Sequence, residues 1–170
     1  SNSPPLKTRY LNQKYISSTQ SSWMDIAEVA GALPNGLLDF IIFDLCYMGD
    51  IETCYEFREK ADYLVVSPGE VMAEGMPYHL IVPHMFAKTP RLGEDGLAGT
   101  FFKYYEESST PYATTAVIDC SKLEDLAEIM ARVVEGKDTE IAALNIANMQ
   151  TYDRYTYQTT VDLRDFAYAL

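Results

Sequence analysis

Short, continuously apolar runs alternate along this chain with longer stretches whose apolar residues recur every three or four positions, a pattern that predicts strands and helices in turn. "SSWMDIAEVAGAL", residues 21–33, opens with capping serines and places Trp23, Ile26, Ala27, Ala30 and Leu33 on one face, which predicts a helix stopped by "PNG". "LLDFIIFD" (37–44) is the unbroken apolar run expected of a strand covered on both faces. "DIETCYEFREKA" (50–61) predicts a helix and "DYLVVS" (62–67) the next strand, with a right-handed crossover between the two. Residues 69–87, with Gly69, Gly75, Pro77 and Pro83, read as a loop leading into a short helix around "YHLIVPHMF", and "EDGLAGTFFKYYEES" buries Leu97, Phe101, Phe102 and Tyr105 as a further helix.

"TTAVIDC" (114–120) predicts a third strand, followed by the clearest amphipathic helix, "SKLEDLAEIMARVVEG", with Ser121 and Glu124 as a capping box. "TEIAALNIANMQ" and "VDLRDFAYAL" predict two more helices. The first 20 residues, rich in Ser, Asn, Thr and Pro, have no sustained period and read as an irregular segment. The expected fold is α/β, a mainly parallel sheet sandwiched by helices, and in such sheets ligands bind beyond the carboxyl ends of strands.

Composition narrows the chemistry. At 170 residues and 48% hydrophobic, the chain supports one sizeable core. A formal net charge of -12 opposes phosphate contacts, which argues against a nucleic-acid binder and favours cationic ligands. No apolar run approaches the roughly 20 residues of a membrane span. Cys46, Cys54 and Cys120 contain no C-x-x-C pair, and His79 and His84 flank Pro83, so no metal site is expected. The eight residues from Cys46 to Cys54 also separate them from the usual vicinal redox pair.

Attention therefore falls on "FDLCYMGD", where an apolar strand stops at Asp44 and Cys46 follows. A thiol at a strand-to-helix junction feels the positive end of the helix that begins near Asp50, which favours thiolate, while the Asp44 carboxylate opposes it. From the residues alone, Cys46 is either an inert thiol or a nucleophile. Asp44 is likewise either a solvated turn residue or a partner for a substrate cation.

The stretch "FIIFDLCYMGDIETCYEFREKADYLVVSPGEVMAEGMPY" resembles the segment around the catalytic cysteine of the clostripain family of cysteine peptidases, relatives of gingipains, legumains and caspases. The resemblance rests on an ordered set: Asp44, Cys46, Met48, Glu52, Tyr55, Glu56, Ala61 to Tyr63, Ser67, Gly75 and Tyr78. It implies a caspase-like fold and hydrolysis of peptide bonds after Arg or Lys by a Cys/His dyad. Cys46 would be the nucleophile and its backbone N–H an oxyanion donor, with a second from a glycine after the catalytic histidine. Asp44 would form the floor of the pocket for the basic side chain, assisted by Glu70 or Glu74 from the following loop. Met76 stands where many members carry Trp.

The family's histidine belongs to a His-Gly motif before the nucleophile strand, and no histidine precedes Cys46 here. The resemblance therefore implies that residues 1–20 lie near a maturation cleavage site and that 21–170 form the C-terminal part of the peptidase domain. The expected partners are a basic peptide or protein substrate and an associated N-terminal chain carrying the histidine, without which the sheet keeps an open edge and the chain is unstable. No cofactor is implied, although some relatives need calcium. A secreted, periplasmic or cell-surface location in bacteria follows from the resemblance alone. The alternative from another class is a catalytically inactive peptidase-like module that binds basic peptides or a partner subunit.

Overall fold

The computed structural model describes residues 25–154 and 160–170. The serines expected to cap the first helix, and the irregular segment 1–20, lie outside the described residues. Helix α1 (Ile26–Ala32) is instead capped by Asp25, whose side chain accepts from the N–H of Ala27 while Glu28 reaches back to the N–H of Asp25. Strand β1 (Leu38–Ile42), helix α2 (Ile51–Glu56) and strand β2 (Ala61–Val66) follow. Then come α3 (Tyr78–Met85), α4 (Leu97–Glu106), β3 (Ala116–Asp119), α5 (Leu123–Val134), α6 (Asp138–Ala142) and α7 (Leu163–Tyr168).

The sheet among the described residues has three strands in the order β1-β2-β3. β1 and β2 run parallel, with Phe40 opposite Tyr63 and Ile42 opposite Val65. β3 runs antiparallel to β2, with Val117 opposite Val65, so the sheet is mixed rather than mainly parallel. The physical reason is that strands covered on both faces carry the same apolar signature in either direction.

β2 is the spine of the core. Leu64, Val65 and Val66 are completely buried, and because successive side chains point to opposite faces they feed two clusters. Leu64 and Val66 pack with Ile26, Ala30, Phe43, Cys54, Phe57 and Leu123 beneath α1, α2 and α5. Val65 packs with Met76, Ile81, Leu97, Phe101 and Tyr105 beneath α3 and α4. Helices therefore cover both faces, as the apolar runs predict.

The start of α5 departs from expectation. Asp119 accepts from the N–H and hydroxyl of Ser121, and a 3-10 turn at Cys120–Lys122 precedes the helix. Glu124 does not close a capping box. It accepts from the Tyr55 hydroxyl and from Nε of Arg58 at 3.0 Å, which ties α5 to the α2 region. The segment expected as a helix over 139–150 divides into α6 and a 3-10 turn at Ile146–Asn148. Beyond it, the chain closes an antiparallel bridge between Thr151 and Val161.

Candidate active site

β1 ends at Ile42, two residues earlier than the apolar run suggests, yet its pairing with β2 continues through Phe43 N–H to Val65 C=O at 2.9 Å. Past Asp44 the chain turns and is stitched to the end of β2 a second time, by Tyr47 N–H to Gly69 C=O at 2.8 Å and Gly49 N–H to Ser67 C=O at 2.9 Å. Gly49 is required by that approach, because a Cβ there would stand 2.6 Å from the Pro68 nitrogen. Leu45 and Met48 turn inward onto the first core cluster, and Cys46 between them is exposed. Tyr47 takes a left-handed conformation, φ 58°, which is uncommon outside glycine and collects at functional sites.

The Cys46 sulfur meets one residue of the facing loop twice. The Val71 N–H donates to Sγ at 3.3 Å and the thiol donates to the Val71 C=O at 3.4 Å. Helix α2 begins where expected, with Asp50 accepting from the Thr53 N–H as its N-cap.

Asp44 is drawn into the loop before α3. Its Oδ2 accepts from the Met76 N–H at 3.2 Å and from the Tyr78 hydroxyl at 3.0 Å. Gly75, at φ +70°, lies against the carboxylate, and a Cβ there would come within 2.9 Å of Oδ2. The Gly75 carbonyl accepts from the Tyr105 hydroxyl at 2.6 Å, so α4 fixes the turn from behind. Burial first, then the bond to Asp44, pushes the Tyr78 phenol up, so it stays a donor to the carboxylate. Burial first, and then the charges of Glu74, Tyr104 and Asp44, do the same to Tyr105.

Glu74 and Asp44 thus act on one phenol, while Glu70 is engaged elsewhere. Glu70 Oε2 is paired with Arg154 Nη1 at 3.3 Å, and the guanidinium lies 5.3 Å from the Tyr112 ring centre. Burial, and then Glu70 and Asp153, push the Tyr47 phenol strongly up. Met76, at the position read as a pocket wall, is buried in the second core cluster and meets Asp44 through its backbone.

The imidazoles sit on α3. His84 Nε2 pairs with the Thr100 hydroxyl at 3.1 Å, and His79 stacks edge-on against Tyr104 at 6.2 Å. Cys54 is buried and donates to the Met48 C=O at 3.9 Å, whereas Cys46 is exposed. Sequence reasoning missed Val71, Tyr47, Tyr105 and Arg154. Of these, Tyr47 adjoins Cys46 and Val71 adjoins Glu70, so only those two lie where a local signal could have pointed.

A helix-covered sheet with an exposed thiol beyond one strand, and a carboxylate anchored two residues before it, is an α/β scaffold for thiol chemistry at a strand's carboxyl end. Residues 8–169 match the clostripain family, Peptidase_C11, and the chain belongs to that family. By family and fold it is a cysteine protease.

A clostripain from Bacteroides thetaiotaomicron, solved with the peptide inhibitor BTN-VLTK-AOMK, is 31% identical with a TM-score of 0.77, covering 91% of this chain and 69% of that one. A secreted C11 cysteine protease of the same species, iotapain, is 29% identical with a TM-score of 0.74. Coverage there is 95% of this chain and 48% of that one. An inactive zymogen of a C11 protease from Parabacteroides distasonis is 30% identical with a TM-score of 0.77, covering 98% and 45%. The chain thus spans between 45% and 69% of these solved relatives. No curated protein matches the chain. No helix among the described residues is long and apolar enough to cross a membrane.

Proposed function

We propose that the protein is an endopeptidase that cleaves after Arg or Lys, with Cys46 as nucleophile and Asp44 as the acceptor for the basic side chain. The observation that carries this reading is the placement of Asp44, held by Met76 N–H and the Tyr78 hydroxyl two residues before the exposed thiol. A carboxylate offers about four acceptor positions, so two donors on Oδ2 leave capacity for a guanidinium or ammonium. Of the two further acids, Glu74 is the better second partner, because it shares the Tyr105 environment with Asp44 whereas Glu70 is paired with Arg154. The inhibitor solved with the Bacteroides thetaiotaomicron clostripain, BTN-VLTK-AOMK, has a lysine at the end of its peptide, in keeping with a basic residue at the cleaved bond.

In this mechanism the Cys46 thiolate adds to the scissile carbonyl, the oxyanion is met by the Cys46 N–H, and collapse expels the amine to leave an acyl-enzyme that water hydrolyses. The imidazole that moves the proton belongs to a segment preceding residue 1 or to an associated chain. Residues 21–170 then form the C-terminal part of a caspase-like domain, matured by cleavage after a basic residue and secreted. The Parabacteroides distasonis zymogen and the secreted Bacteroides protease accord with processing and export.

The test is labelling of the protein and its co-purifying chains with an arginyl peptide acyloxymethyl ketone, followed by mass mapping. An adduct on Cys46 that is lost in Asp44→Ala, with a histidine-bearing polypeptide present, is the expected result. No adduct in folded protein that retains such a polypeptide would overturn the reading and leave a module that binds basic peptides without cleaving them.

A further inference from the structure

The two backbone groups that touch the Cys46 sulfur both belong to Val71, so the position of the thiol depends on how firmly that one residue is held. Val71 itself is only partly buried, against the second core cluster, and lies in a loop without regular secondary structure. Its sequence neighbours supply the anchorage. The Arg154 Nη1 meets Glu70 Oε2 at 3.3 Å and Met72 Sδ at 3.3 Å, gripping the residues immediately before and after Val71.

Arg154 is itself fixed in place. The segment that carries it is bridged at Thr151 and Val161, and Asp162 N–H donates to Gln150 C=O at 2.8 Å. The Tyr112 ring lies under the guanidinium, and its hydroxyl donates to the Tyr152 C=O. The Thr160 hydroxyl donates to Pro68 C=O at 3.4 Å, which ties the same ribbon to the start of the loop. The Arg154 and Glu70 side chains are 26% and 25% exposed, so their pair is partly sheltered from solvent.

We infer that Arg154 is a positioning residue for the nucleophile: by clasping Glu70 and Met72 it holds Val71 against the Cys46 thiol. The planar guanidinium suits the task, since one nitrogen can serve both neighbours while the plane rests on an aromatic ring. A loop freed by about 1 Å would displace the groups that orient the sulfur, and misplacement of that size costs on the order of 100-fold in rate at the extreme. Arg154 also places a cation on this flank of the site. Position and charge therefore make opposite predictions for Glu70, and that separates them.

The experiment measures the rate of Cys46 alkylation by iodoacetamide on the intact protein, mapped by mass, for Arg154→Ala, Glu70→Gln and the double variant. If the clasp positions the thiol, each single variant slows alkylation by roughly tenfold and the double variant is no slower than either, because both break one device. Arg154→Lys, which keeps the pair with Glu70, restores part of the rate. Glu70→Gln accelerating alkylation while Arg154→Ala slows it would reduce Arg154 to a nearby charge and overturn the inference, as would unchanged rates in both.

Kinetics on an arginyl substrate supply a second readout: kcat falls in both single variants while KM moves little, since Asp44 is untouched. That arm rests on the peptidase reading. The alkylation arm does not, so failure of substrate cleavage alone counts against the proposed function, whereas unchanged alkylation counts against the clasp.

Discussion

The Tyr78 hydroxyl donates to Oδ2 of Asp44 at 3.0 Å, joining the first turn of α3 to the residue two positions before the exposed thiol. The bond settles where the carboxylate points. Replacing Asp44 by Asn keeps the shape and removes the charge, and kcat/KM for arginyl and lysyl peptides should fall on the order of 100-fold, the loss typical of a sheltered charge pair. Tyr78→Phe removes one of two donors and should cost about 1 kcal/mol, roughly fivefold in kcat/KM. Steady-state kinetics on matched arginyl and uncharged peptides check both. An Asp44→Asn variant that discriminates as well as the parent would remove Asp44 from the pocket.

Gly75 offers a steric test of the same site. At φ +70° an alanine costs about 1 to 2 kcal/mol of backbone strain, and its Cβ would stand 2.9 Å from the Asp44 carboxylate. Gly75→Ala should lower the melting temperature by a few degrees and weaken cleavage after basic residues together. A variant that loses stability but keeps full preference for basic residues would separate the turn from the pocket.

Much of the fold is written locally. The runs at 37–44 and 62–67 carry enough apolar residues to predict strands, and the Leu97, Phe101, Tyr105 spacing marks the buried face of α4, whereas Phe102, expected on that face, is exposed. The direction of β3 is not written there, because a strand covered on two faces reads alike parallel or antiparallel. Asp44 and Cys46 stand out because an acid and a thiol end an apolar run. Glu70 and Arg154 lie 84 residues apart, and no period or spacing announces that they meet. Ser121 and Glu124 fit a capping box, but Glu124 gains more from Tyr55 and Arg58 across the helix interface.

The three thiols should react in a fixed order. Cys46 is exposed, whereas Cys54 and Cys120 are buried. Burial first, then Asp119 and Asp62, push the Cys120 thiol up to about 11, so it remains protonated through the neutral range. Iodoacetamide on folded protein should give one adduct, at Cys46, with the other two appearing only after denaturant. Early modification of Cys120 would show that the packing around the β3 end is looser than described.

The Tyr152 hydroxyl donates to Oδ2 of Asp162 at 2.7 Å, and this pair contributes to the alkaline limb of stability. Burial first, then that hydrogen bond, push the Tyr152 phenol from 10.0 up to about 12. Between those values the unfolded chain has released the proton and the folded chain still holds it, so the stability gained from the pair falls as pH rises. Tyr152→Phe should therefore destabilise the protein by about 1 to 2 kcal/mol below pH 10. The deficit relative to the parent should then shrink as pH climbs through about 12. Denaturant unfolding of both proteins across that range measures it. A deficit that stays constant at every pH would mean that the Tyr152 proton is not held by Asp162, and that the segment carrying Arg154 is fixed by its other contacts, the Thr151–Val161 bridge and the Asp162 N–H to Gln150 C=O bond among them.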